Sequence, residues 1–196
     1  MAWLLPRAGG RCTRVDGRER DSRLPIIGSW VSNHDSLDSR SSMTELNAIL
    51  HIVLVEPEIA GNCGAIGRTC VAVGAMLWLV RPLGFHLDDR HRRRAGLDYW
   101  EHLRWRAVDS LEEAAQELAP NRLWYFSTKA SLSYTAATYQ LGDALVFGRE
   151  SRGLPERLIA EHPDRCVRIP MREEARSLNL GTSVAIGLYE AVRQTS

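Results

Sequence analysis

"AILHIVLVEPEIAGNCGAIGRTCVAVGAMLWLV", residues 48–80, decides the fold. Its opening, "AILHIVLVE" (48–56), is a nearly unbroken apolar run rich in Ile, Leu and Val. A strand that is apolar on both faces is buried on both faces, which is the habit of parallel sheets. "GAIGRTCVAVG" (64–74) predicts a short helix stopped by Gly74, and "MLWLV" (76–80) a second buried strand. Strand, helix and strand follow one another with no room for a hairpin.

The alternation continues outward from there. "DSLEEAAQELA" (109–119) predicts a helix with Asp109 as its cap and Glu112 completing a capping box. "RLWYFS" (122–127), "ALVF" (144–147) and "CVRIP" (166–170) read as further strands. "NLGTSVAIGLYEAVRQ" (179–194) places Leu180, Val184, Leu188 and Val192 four residues apart, on one helical stripe. Ser183 and Gly187 form a small strip on the same helix where another helix could approach. The expectation is an α/β domain with a mainly parallel sheet and flanking helices.

The chain has 196 residues, 44% of them hydrophobic and 25% charged, with a net charge of +1, which suits one globular domain and a tail. No apolar run approaches the roughly 20 residues of a membrane helix. No basic region precedes the short apolar patch in "MAWLLPRAGGR" (1–11), so no secretory signal is expected. Cys12, Cys63, Cys70 and Cys166 form no CxxC pair, so a reduced, cytoplasmic protein without a metal site is expected. Residues 1–42 are polar, rich in Arg, Ser, Asp and Gly and aperiodic; they are expected to be a disordered extension preceding a domain over 43–196. Met43, at the junction, could itself be the start. The basic residues are almost all arginine, Lys129 being the one lysine. The run "RHRRR" (90–94) reads either as a solvated helix face or as a phosphate-binding patch.

Three unusual loops follow strands: "EPEIAGNCGAIGR" (56–68), "GRESRGLP" (148–155) and "IPMREEARSLNLG" (169–181). In a parallel sheet all three lie on the carboxyl rim, where such folds bind ligands. Each alone reads as ordinary turn chemistry. "GNCGAIG" invites comparison with a dinucleotide fingerprint, but its G-x-x-G-x-x-G spacing does not fit, which disfavours an oxidoreductase.

In order, the loops resemble the three motifs of the SPOUT superfamily of RNA methyltransferases. "EPEIAGNCGAIGR" is similar to E-P-x-x-x-x-N-x-G-x-x-x-R, "FGRESRGLP" to F-G-x-E-x-x-G-L-P, and "IPMREEARSLNLGTSVAIGLYEA" to the I-P-M…S-x-N-L…Y-E-A ending. The connecting "PLGFHLDDRHRRRAGLDYW" (82–100) resembles the small, single-domain branch that modifies the wobble ribose of tRNA. The resemblance spans 46–194. It implies a C-terminal trefoil knot, a homodimer and methyl transfer from S-adenosylmethionine to the 2′-OH of cytidine or uridine 34 in the tRNA anticodon stem-loop. A SPOUT enzyme of ribosomal RNA usually carries an added RNA-binding domain, for which residues 1–42 are too short. A knotted RNA-binding protein without transfer activity is the other reading the motifs admit.

Matched residue by residue, the resemblance places cofactor contacts at Phe126, Gly148, Ile169 and Ser177, with Phe126 and Ile169 as apolar walls or plain core. It places the catalytic positions at Arg68 and Asn62. A guanidinium is ordinarily protonated, so Arg68 is expected to orient the ribose and stabilise alkoxide charge, or to act as base only once deprotonated in the complex. Asn62 and Glu150 are expected to join the first two loops by hydrogen bonds, with Asn62 also near the substrate. Glu150 is expected to fix loop geometry without acid–base chemistry, or else to lie as a solvated loop residue. Arg152, Arg176 and Tyr189 are expected at the RNA or in active-site architecture, Tyr189 either stacking on a base or closing the dimer. Ala60, Gly61, Ala65, Arg149 and Gly181 depart from the family pattern.

Overall fold

The computed structural model describes residues 49–86, 98–119 and 121–196. The extension expected over 1–42, Met43 and the basic run Arg90–Arg94 lie outside the described residues. Seven strands form one sheet: β1 (His51–Val55), β2 (Met76–Val80), β3 (Trp105–Val108), β4 (Leu123–Phe126), β5 (Leu132–Ser133), β6 (Ala144–Phe147) and β7 (Cys166–Arg168). Their order is β3-β2-β1-β6-β4-β7-β5, and every pairing is parallel. Among the described residues, four α-helices accompany them: α1 (Ala60–Val73), α2 (Leu111–Leu118), α3 (Glu156–Glu161) and α4 (Leu180–Thr195).

Both faces of the sheet are covered, as the unbroken apolar strands require. Ile52, Leu54, Leu77, Leu79, Leu145 and Phe147 point to the face packed by Cys63, Ile66 and Cys70 of α1 and Val184, Leu188 and Ala191 of α4. Their neighbours Val53, Val55, Trp78, Val80 and Val146 point to the other face, against Ala114 and Leu118 of α2 and Leu158 and Ile159 of α3. Period-two alternation thus persists in strands that carry no polar face.

The elements differ from the sequence reading in four places. Helix α1 begins at Ala60 rather than Gly64, so most of the stretch read as a loop is helical; it stops at Gly74, which takes φ 73°. The cap of α2 is one residue later than expected: the Ser110 hydroxyl accepts from Glu113 N–H, and Glu113 accepts in return from Asp109 N–H. The edge strands β3 and β5 were not anticipated, being short and only half-buried. Gly187 does not offer a strip to another helix: it is buried, and a Cβ there would lie 2.7 Å from the Phe126 ring.

Moving out from β1, β2 and β3 lie on one side while β6, β4 and β7 lie on the other. Strand order therefore reverses at the β1–β6 pair, and the loops after β1 and β6 leave the carboxyl rim side by side. An open α/β sheet forms its ligand crevice at such a switch point.

Candidate functional site

The loop after β1 and the loop after β6 are joined by a dense set of polar contacts. Glu150 Oε2 accepts from Glu58 N–H at 2.8 Å, and its Oε1 accepts from Asn62 Nδ2 at 3.0 Å and Ile59 N–H at 3.3 Å. Glu58 answers with its own carboxylate, accepting from Ser151 N–H at 2.9 Å and Ser151 Oγ at 2.8 Å. Arg149 forms an ion pair with Glu56, whose Oε2 has no other partner. Three consecutive residues of the β6 loop are thus each held by the segment 56–62.

The third loop enters through Asn179. Its Nδ2 donates to Asn62 Oδ1 at 3.0 Å, while its own Oδ1 caps α4 by accepting from Thr182 N–H at 3.3 Å. Asn62 therefore stands between the other two loops, donating to Glu150 and accepting from Asn179. An amide can do both at once, which an aspartate or a leucine at this position could not. Turns that lie 88 and 117 residues apart in the chain meet on this one side chain.

The electrostatics follow from these contacts. Burial alone raises the Glu150 carboxyl, but hydrogen bonds from Asn62 and from the backbone N–H groups of Glu58, Glu150 and Ile59 outweigh it, leaving the acid below its usual range. Folded-state depression means that Glu150 stabilises the fold above its unfolded value near ~4.3, and that this stabilisation disappears as pH falls through the lower folded value. Urea unfolding midpoints measured between about pH 6 and about pH 3 should therefore drop more steeply for the native chain than for Glu150→Gln. Parallel curves would show that the carboxylate is not the acid-sensitive tie. Burial first, and the Glu150 charge second, push the Cys63 thiol up to about 12, so Cys63 is no nucleophile at neutral pH.

Phe126, Gly148 and Ile169 lie at or just beyond the ends of the adjacent strands β4, β6 and β7. The Phe126 side chain is buried, stacked on Phe147 with ring centroids 4.5 Å apart, so what it offers the rim is its backbone. Ile169 is half-buried against the α1–α4 face of the core. Gly148 is buried at the base of a tight turn closed by Gly153 N–H donating to Arg149 C=O at 2.8 Å. Ser177 is exposed, two residues before Asn179.

Arg68 is exposed on the outer strip of α1, and Arg152 and Arg176 are exposed on the second and third loops. Tyr189 is 53% exposed but sits about 14 Å along α4 from its first residue, apart from the cluster at the helix start. Sequence reasoning missed Glu58, Ser151 and Asn179. Asn179 had a signal, since an asparagine ahead of an apolar stripe is a natural helix cap. Glu58 had none. Among the described residues, no three His, Cys, Asp or Glu side chains are grouped to hold a metal ion, and no helix is long and apolar enough to cross a membrane.

Comparison with known proteins gives the arrangement a context. The sequence model of the SpoU rRNA Methylase family matches residues 49–189. The tRNA (cytidine(34)-2'-O)-methyltransferase of Methylovorus glucosotrophus is 45% identical over 144 residues, covering 73% of this chain and 94% of its own. A solved structure described as "Structural insights into the 2-OH methylation of C/U34 on tRNA" superposes with a TM-score of 0.70 at 44% identity, covering 76% of this chain and 97% of that one. The SpoU methyltransferase AviRb of Streptomyces viridochromogenes, in complex with the cofactor AdoMet, superposes with a TM-score of 0.66 at 26% identity, covering 76% of this chain and 61% of its own.

Proposed function

Because this chain belongs to the SpoU rRNA methylase family, we propose that it methylates the ribose 2′-OH of nucleotide 34, a cytidine or uridine, in the tRNA anticodon stem-loop. The observation that carries the reading is the meeting of three motif-bearing loops at Asn62, on the carboxyl rim of a parallel sheet at its switch point.

The rim suits S-adenosylmethionine as the methyl donor. Three adjacent strand ends present backbone groups and the half-buried Ile169, while the carboxylates of Glu56, Glu58 and Glu150 are engaged within the loops. The donor carries its methyl on a sulfonium sulfur, a good leaving group, so the chain's task is alignment and removal of the ribose proton. Gly148, Ile169, Ser177 and the backbone of Phe126 hold the donor. Arg68 orients the ribose and adjoining phosphate and stabilises negative charge on the 2′-oxygen. Asn62 and Glu150 keep the two loops in register beneath the nucleotide. Arg152 and Arg176, both exposed, meet RNA phosphates, where a planar guanidinium fork binds in bidentate fashion.

Residues 43–196 form the SPOUT methyltransferase domain, with residues 1–42 as an extension. The segment from β7 to α4 is threaded as a trefoil knot. Supporting this are the insertion of β6 between β1 and β4 and the return of the third loop to α1 through Asn179. The protein acts in the cytoplasm as a homodimer, for which the exposed Tyr189 marks an available side of α4.

The deciding experiment incubates the protein with labelled S-adenosylmethionine and, in parallel reactions, bulk tRNA or ribosomal RNA, and maps the ribose-methylated nucleotides. Label confined to position 34 is expected. Label in ribosomal RNA, or salt-sensitive tRNA binding with no label at all, would replace this reading with one of its relatives.

A further inference from the structure

The reciprocal use of Glu58 and Glu150 exceeds what is needed to join two loops. Glu150, in the β6 loop, takes the backbone N–H groups of Glu58 and Ile59. Glu58, in the β1 loop, takes both the backbone N–H and the hydroxyl of Ser151. Each loop thus supplies the carboxylate that the other's amides require. Four of these bonds have a charged acceptor, the class that contributes most per bond.

Glu58 is also braced from behind. Gly84, in the loop after β2, donates its N–H to Pro57 C=O at 2.9 Å. It lies so close that a Cβ would be 2.6 Å from Glu58 O and 2.7 Å from Glu58 Cα. The β1 loop is therefore a fixed anvil, wedged between Gly84 and α1. The β6 loop, by contrast, is a small closed unit, tied to itself by Gly153 N–H on Arg149 C=O. Arg149 and Glu150 hold the start of that turn to the β1 loop, and Glu58 extends the hold past them to Ser151, on the approach to Gly153.

We propose that Glu58 is a positioning residue for the methyl donor: through Ser151 it sets the height of the Gly148–Gly153 turn over the strand ends, and so the shape of the donor pocket. This rests on the reading of that turn as donor-binding. Both carboxylate oxygens of Glu58 are taken up by Ser151, so its loss should act through the turn on donor affinity and leave RNA binding alone.

Calorimetric titration of S-adenosylmethionine into the full chain, without RNA, tests the proposal. Glu58→Ala should weaken donor binding about tenfold, the loss of two charge-assisted bonds offset in part by water. Ser151→Ala, which removes only the hydroxyl bond, should weaken it about threefold, and Ser151→Thr should restore it. The Kd for tRNA should stay unchanged in all three, and the loss should fall in KM for the donor rather than in kcat. Native donor affinity in folded Glu58→Ala overturns the proposal; should that variant not fold, native affinity in Ser151→Ala does so. A native chain that binds no S-adenosylmethionine would instead sink the methyltransferase reading itself.

Discussion

Arg68→Ala should bind S-adenosylmethionine within about twofold of the native chain yet lose methyl transfer by roughly 10²–10⁴-fold, the range expected when a charge-stabilising or proton-handling group is removed. The split follows from where the residue sits. Arg68 is on α1, which starts at the three-loop junction; Gly61, Ala65, Arg68 and Ala72 form the helix's exposed strip. That strip runs beside the start of α4, since a Cβ at Gly181 would lie 3.6 Å from Ala65 Cβ. The strand ends that carry Phe126, Gly148 and Ile169 belong to β4, β6 and β7, not to α1. Removing the guanidinium is therefore expected to act on methyl transfer rather than on the strand ends proposed to hold the donor. Arg68→Lys should restore little, because an ammonium cannot present the planar fork proposed to grip ribose and phosphate together. Donor affinity by calorimetry and single-turnover labelling of tRNA measure the two halves separately. Full turnover by Arg68→Ala would remove this residue from the mechanism.

The same junction shows what the sequence made legible and what it hid. Buried parallel strands announced themselves through composition: β2, β4 and β6 are apolar along their whole length and β1 is so apart from the buried His51, the habit of strands covered on both faces. The start of α1 was hidden because Gly61, Asn62 and Gly64 are turn formers by local preference. They are helical here because Cys63 and Ile66 bury themselves against the sheet, and because Glu150 takes the N–H groups of Glu58 and Ile59 just ahead of the first turn. Tertiary contacts outweighed propensity. β3 was hidden for the opposite reason: "WRAV" carries an exposed Arg106 on an edge strand, where alternation is loose and a charge protects the open side.

The site was legible only as motifs, not as geometry. Asn62 and Glu150 could be named as partners, but nothing local to either loop indicated that Glu58 would return the bond, 93 residues from Ser151. Glu58 has the appearance of one more acidic surface residue. Its function exists only once β6 is inserted beside β1. Phe126 shows the converse, since a residue named for the pocket turns its ring into the core against Phe147 and leaves only main chain at the rim.

Gly148→Ala should cost both stability and donor binding, and the comparison with Gly153→Ala separates sterics from backbone conformation. A Cβ at Gly148 would lie 2.1 Å from Gly153 C and 2.3 Å from both Gly153 O and Leu154 N. These are main-chain atoms of the same closed turn, so relief requires the turn to open and the Gly153–Arg149 bond at 2.8 Å to stretch or break. Overpacking of this kind typically costs about 1–3 kcal/mol, and here the displaced atoms are those proposed to wall the donor pocket. Donor affinity should therefore fall by about 100-fold or more, which corresponds to about 2.7 kcal/mol or more of binding free energy. Gly153 differs: its φ is 69°, in the left-handed region, but nothing lies within 4 Å of its Cβ position. Gly153→Ala meets only the conformational penalty, about 1–2 kcal/mol, and can keep the turn's shape. It should lower the unfolding midpoint while leaving donor affinity within a few-fold of native. If Gly148→Ala binds S-adenosylmethionine as the native chain does, the turn after β6 does not wall the donor site, and the donor must sit elsewhere on the rim.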